Sequence, residues 1–166
     1  MIQAAFTGCK LMYKLAGPIL ALDLGQKLIG VAVSDDRLVT TKRLPPLHRS
    51  NWKKLLQDLR NLVERFDAQT IVIGLPLRLD GTAGDAAKDV QRLAGNLAKS
   101  IALPVYLQDE RLTSRGAAEN LRAEGVKPGD IPKLIDGEAA AMILRDFLAG
   151  GQTRIRVRPS DTETQE

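Results

Sequence analysis

The chain has 166 residues, 44% of them hydrophobic and 27% charged, with a formal net charge of +4, which suits one domain with a buried core. Its single cysteine, Cys9, excludes a disulfide framework and a cysteine-rich zinc site and fits a reducing cytoplasm. No segment approaches the roughly 18 uninterrupted apolar residues of a membrane helix, and the mild excess of Lys and Arg is compatible with an anionic partner without requiring one.

Residues 1–17 read as an extension. The stretch before Cys9 lacks the basic leader and apolar region of a secretion signal, and Met12 offers an alternative start. The domain is expected over residues 18–150, followed by a basic, polar tail at 151–166. From Pro18 the hydropathy alternates between strand-like and helix-like periods, which argues for an α/β layer structure. Ile19–Leu24 is the first strand. A turn at Asp23–Lys27, with Gly25 free to take positive φ, leads into a second strand over Ile29–Ser34, antiparallel because the connection is so short. Val39–Leu44 is a third, ended by Pro45 and Pro46.

Ser50 or Asn51 caps a helix whose Leu55, Leu56, Leu59, Leu62, Val63 and Phe66 share one face. Thr70–Gly74 is a buried strand, followed by the loop Leu75–Gly81 and a helix from about Gly84 to Ile101. Val105–Leu107 is the fifth strand, and a helix follows through about Arg122. Glu124–Lys133 is rich in Gly, Pro and charge and reads as a mobile loop. The last helix runs from about Lys133 to Leu148. In the tail, Arg154, Arg156 and Arg158 alternate with Ile155 and Val157, which suits an edge strand or a disordered basic arm; disorder is the expectation.

Three carboxylates occupy positions where apolar residues belong. Asp23 stands in an apolar strand, Glu110 lies just past the end of a buried strand, where open α/β sheets place ligands, and Asp136 falls on the inward stripe of Ala140, Ile143 and Phe147. Each alone has a structural explanation: Asp23 bonding turn amides, Glu110 pairing with Arg111 or Arg115, Asp136 complementing the amino end of its helix. All three together point elsewhere, because strands one, four and five can lie adjacent beneath the last helix. A carboxylate cluster repels itself unless protonated or neutralised, and hard cations such as Mg²⁺ or Mn²⁺ take oxygen ligands. Two such ions roughly 3.5–4 Å apart activate water for phosphodiester hydrolysis.

The blocks DLGQKLIGVAV, GLPLRLDG, QDERLTS and IDGEAAAMIL resemble the four signature blocks of the YqgF family, pre-16S ribosomal RNA nucleases also described as Holliday-junction-resolvase-like proteins. The resemblance spans about Ile19 to Leu148. It implies a fold similar to ribonuclease H, a five-stranded mixed sheet with the second strand antiparallel, flanked by helices. It also implies that Asp23, Glu110 and Asp136 are the acidic catalytic, metal-holding residues. Arg78 departs from the family pattern within its block. Asp109 should point away from Glu110, Thr113 and Ser114 cap the next helix, and the lone His48 is exposed. Arg111, Arg115, Lys127 and Lys133 are the expected contacts to nucleic-acid phosphates.

The expected function is a metal-dependent endonuclease on structured RNA, the precursor of 16S ribosomal RNA, acting in the cytoplasm as a monomer or weak homodimer without membrane association. Three alternatives compete: a resolvase of four-way DNA junctions, an actin-like ATP-binding module, and a non-catalytic nucleic-acid-binding regulatory module. The chain is too short for the two lobes that enclose ATP. The complete acidic set argues for chemistry, and an aromatic content of 4% argues against a dedicated single-strand binder.

Overall fold

The apolar run at Ile19–Leu24 becomes the centre of a sheet because its residues are buried on both faces. The computed structural model describes residues 15–110, 113–150 and 154–159. Its elements follow in the order β1 (Ile19–Leu24), β2 (Leu28–Ser34), β3 (Thr41–His48), α1 (Trp52–Phe66), β4 (Thr70–Leu75), α2 (Asp85–Ser100), β5 (Val105–Asp109), α3 (Thr113–Ala123), α4 (Ile131–Leu148) and β6 (Arg154–Val157). The strands lie in the order β3-β2-β1-β4-β5-β6. β2 runs antiparallel to β1 across the short hairpin, while β4 and β5, each reached through a helix, run parallel to it.

Alternation along the strands divides the core. Leu20, Leu22, Ile71, Ile73, Val105 and Leu107 face one way and pack with Leu55 and Leu59 of α1 and Val90 and Leu97 of α2. Ile19, Ala21, Ala32 and Val72 face the other way, onto Ala140, Ala141, Ile143, Leu144 and Phe147 of α4. Asn51 caps α1, its side chain accepting from the Lys54 amide at 2.9 Å. Among the described residues no helix is long and apolar enough to cross a membrane.

Several expectations change at the margins of the sheet. It has six strands among the described residues rather than five, because Arg154–Val157 pairs antiparallel with β5 where a disordered tail was expected. Val157 packs against the core layer. Arg154 places its guanidinium 4.6 Å from the Phe147 ring centroid and donates to the Phe147 carbonyl. The remainder of the tail and residues 1–14 lie outside the described residues.

β3 continues through Pro45 and Pro46 instead of stopping there. It is an edge strand, and the register slips between Ile29↔Leu47 and Val31↔Leu44, so the residues without an N–H meet a bulge. The expected mobile loop is a short connection, closed by Glu124, Gly125 and Val126 amides on the carbonyls of Asn120, Arg122 and Leu121, and α4 already begins at Ile131. Gly25 does not adopt positive φ; a Cβ there would stand 2.5 Å from the Leu28 carbonyl oxygen.

α4 lies against β2 through Gly30, where an added Cβ would meet the Asp136 carbonyl oxygen at 2.0 Å and its carbon at 2.6 Å. Neither is the end of a flexible side chain, so the helix itself must move. Gly30→Ala should cost about 1–3 kcal/mol, the usual range for overpacking a core. Urea unfolding checks this, and a midpoint equal to that of the native protein would show that α4 has slack at this contact.

Candidate active site

The same alternation that divides the core assembles the site. Ile19, Ala21 and Asp23 share the face of β1 turned toward α4, as do Val72 and Gly74 on β4. Tyr106 lies on that face of β5, and stepping by two reaches Gln108 and then Glu110, whose amide is held by the Leu75 carbonyl at 3.1 Å. Asp109 therefore points to the opposite face.

β4 separates β1 from β5, so the two carboxylates can meet only by reaching across it. Gly74 makes the space. A Cβ on Gly74 would stand 2.2 Å from Glu110 Oε2 and 2.5 Å from Ile143 Cδ1. The sequence reading places this glycine at the end of a buried strand without giving it a role; it lies within β4 and serves close approach of a side chain.

Asp23 and Glu110 share a hydrogen bond. Burial raises both carboxyls. For Glu110 the neighbouring Asp23 charge, the hydrogen bond to Asp23 and the Asp109 charge add to burial and push it up to about 9. For Asp23 the hydrogen bond from Glu110 opposes burial, while the Asp136 charge adds to it. Both carboxyls are therefore pushed toward the protonated form, and the pair shares a proton at neutral pH.

Asp136 is half-buried in the first half of α4. Its backbone carbonyl presses on Gly30, the residue paired with Asp23 in the β1–β2 ladder. The structure thereby brings all three predicted acids to one end of the sheet, two in direct contact and the third close enough to act on Asp23. Among the described residues, no three acidic, histidine or cysteine side chains converge tightly enough to hold one ion as they stand.

The expected phosphate contacts are less complete. Lys127 and Lys133 are both exposed and line one shallow depression with Val126, Asp130 and Leu134. Lys133 pairs with Asp130 at 3.4 Å. Arg111 lies outside the described residues, and Arg115 belongs to α3 with its side chain outside them too, as are those of Thr113 and Ser114. Arg78 stands on the loop after β4 with its guanidinium against Gly84.

One acid escapes the sequence reading. Glu138 is fully buried, accepting from Arg43 at 2.6 Å, Arg145 at 2.8 Å and Asn120 at 3.2 Å. Burial raises its carboxyl, and these three donors outweigh that and hold it below its ordinary range. The signal was available: α4 is apolar nearly all round, so a charge in its middle must be buried.

The shared proton sets a pH dependence. Glu110 keeps its proton in the folded state to about pH 9, against an ordinary value of 4.5. The stability linked to that raised value is fully present below the unfolded pKa and is lost as pH rises through the window up to the folded one. In chelator, the melting temperature should therefore fall across this window, and Glu110→Gln should flatten the fall. Thermal melts of both proteins decide it; parallel curves would assign the pH dependence to other groups.

A family model described as RuvX, Holliday junction resolvase, matches residues 17–150. A protein of Syntrophus aciditrophicus named "Putative pre-16S rRNA nuclease" is 40% identical over 144 residues, 86% of this chain and 94% of that one. One of the same name from Trichormus variabilis is 40% identical over 129 residues, 78% and 85% of the two chains. Among solved structures, Thermus thermophilus RuvC in complex with a Holliday junction substrate superposes with a TM-score of 0.51 at 14% identity, over 84% of this chain and 98% of that one. At that identity the likeness concerns the fold, and it agrees with the ribonuclease H-like sheet expected from the sequence. The match runs from before β1 to just past α4 and takes in all four sequence blocks, and on it the chain belongs to the RuvX family, the group identified above as YqgF.

Proposed function

We propose that the protein is a divalent-metal-dependent endonuclease that hydrolyses phosphodiester bonds in structured RNA, processing the 5′ end of pre-16S ribosomal RNA in the cytoplasm. The observation that carries this reading is the proton-sharing pair of Asp23 and Glu110 laid across Gly74, with Asp136 beside it. The names of the curated relatives support the choice of RNA.

The donor set fits Mg²⁺ or Mn²⁺, since all its atoms are hard carboxylate oxygens. A shared proton is also what two adjacent carboxylates hold when no cation balances them. Asp23 and Glu110 would hold one ion, and Asp136 is the side chain that would join them for a second. Such an ion, when bound, supplies positive charge that lowers the pKa of water and stabilises the phosphodiester oxygens. The chain's own residues do the rest. Asp23 is fixed opposite Gly30 in the β1–β2 ladder, one residue beyond the last β1–β4 pair, Leu22↔Ile73. On binding a cation the pair would release its shared proton to solvent and serve as a dianionic ligand. Lys127 and Lys133, with Arg111 and Arg115, would bind phosphates and set the register of the substrate.

A second reading is supported by the family description: cleavage of four-way DNA junctions. Both substrates need the same acids, so the site does not separate them. With Mn²⁺, the protein should cut structured precursor RNA faster than a four-way DNA junction. Asp23→Asn, Glu110→Gln and Asp136→Asn should each slow cleavage by about 100-fold or more while leaving nucleic-acid affinity nearly unchanged. Faster junction cleavage reverses the ranking of substrates, near-native turnover in a variant removes that residue from the site, and no cleavage of either substrate favours a non-catalytic binding module.

A further inference from the structure

Glu138 lies two residues beyond Asp136, and its surroundings join four parts of the chain. Its carboxylate takes Arg43 of β3 on one oxygen, and Arg145 of α4 with Asn120 of α3 on the other. The Arg43 fork also engages Glu124, in the turn before α4, at 3.1 and 3.0 Å. Between the two acids, Gly137 brings the helix onto β3: a Cβ there would meet Arg43 Cβ at 3.3 Å and the Leu44 carbonyl at 3.4 Å. Three consecutive residues of α4 therefore meet β2 through Asp136, β3 through Gly137 and the ionic cluster through Glu138.

Helical geometry makes this consequential. Side chains two apart on a helix are separated by about 200° of rotation, since there are 3.6 residues per turn. Asp136 and Glu138 consequently face opposite sides, and any roll of α4 that moves one moves the other. If α4 needed only stability, an apolar residue at 138 would serve as well, because buried ion pairs frequently stabilise no more than hydrophobic isosteres. Ions add direction. A planar guanidinium bonded at fixed angles to two carboxylates resists rotation and sliding in a way that leucine packing does not.

We propose that the bonds of Glu138 to Arg43 of β3 and Asn120 of α3, with Arg145 completing the carboxylate's partners from within α4, are a positioning device that fixes the roll and height of α4 and thereby sets the Asp136 carboxylate against Asp23. Glu138 and Arg43 are then positioning residues for the cation site, and the inference rests on the reading of Asp23, Glu110 and Asp136 as that site. The role resembles that of groups that orient metal ligands from behind, whose loss typically lowers metal affinity by about 10–100-fold.

The test is a double-mutant cycle read by calorimetry with Mn²⁺ alone, alongside cleavage rates. Glu138→Met supplies an apolar side chain of similar length. Arg43→Lys exchanges one cation for another at a side chain already 31% exposed and reports on the fork even if Glu138→Met unfolds. Each should lower Mn²⁺ affinity by about tenfold or more and raise the Mn²⁺ concentration for half-maximal cleavage by a similar factor, with the KM for nucleic acid unchanged. In an Asp136→Asn background the same substitutions should cause no further loss, because the ligand they position is gone. Folded variants that bind Mn²⁺ like the native protein, or that lose the same factor with and without Asp136, overturn the positioning role. If Asp136→Asn alone leaves Mn²⁺ affinity and cleavage intact, the reading of the site itself fails and the inference falls with it. A damaging Asp136→Asn beside silent Glu138→Met and Arg43→Lys removes only the positioning role.

Discussion

Two carboxylates held together in a poorly solvated place cannot both ionise without a cation, and the fold is arranged to hold them together all the same. Asp23 and Glu110 come from strands that do not touch, and the strand between them carries a glycine at the crossing point. The contact is expensive for an unliganded protein. Burial first and mutual repulsion second raise Glu110 far above an ordinary glutamate, so the metal-free pair keeps a proton that a solvated carboxylate would lose. Such a place stores little stability and much affinity for positive charge.

The remainder of the site depends on the same economy of space. α4 approaches β2 at Gly30, directly across the ladder from Asp23, so a third acid is delivered by helix packing instead of by a strand. Small residues along the inner face of α4, Gly137, Ala140 and Ala141, allow this approach, while Glu138 ties the helix to Arg43 of β3 and Asn120 of α3. Side-chain volume decides how close the acids come, and directional hydrogen bonds decide where they point.

The sequence made the central parts legible for a physical reason. A carboxylate within an apolar run, another just past a buried strand and a third on an inward helical stripe each violate hydropathy patterning, and such violations gather at functional places. β1, β2, β4 and β5 were readable because burial on both faces enforces long apolar runs. The margins were not. β3 and β6 are edges with one unpaired side, where prolines and arginines are tolerated and the pattern weakens. Gly74 and Gly30 gave no local signal, since a glycine that makes room for a distant side chain looks like one that makes a turn. Glu138 is harder to read because its partners, Arg43 and Asn120, are remote in sequence, although the apolar composition of α4 around it marks it as buried.

The claim on which all of this turns is that the Asp23–Glu110 pair is a cation site. Crystals of the protein grown with Mn²⁺ and measured for anomalous scattering address it most directly. The account predicts a peak bonded to carboxylate oxygens of both Asp23 and Glu110, at the roughly 2.0–2.3 Å expected of a hard divalent cation, with the hydrogen bond between them gone. A map with no peak there at saturating Mn²⁺, and the two carboxyls still sharing their proton, would contradict it.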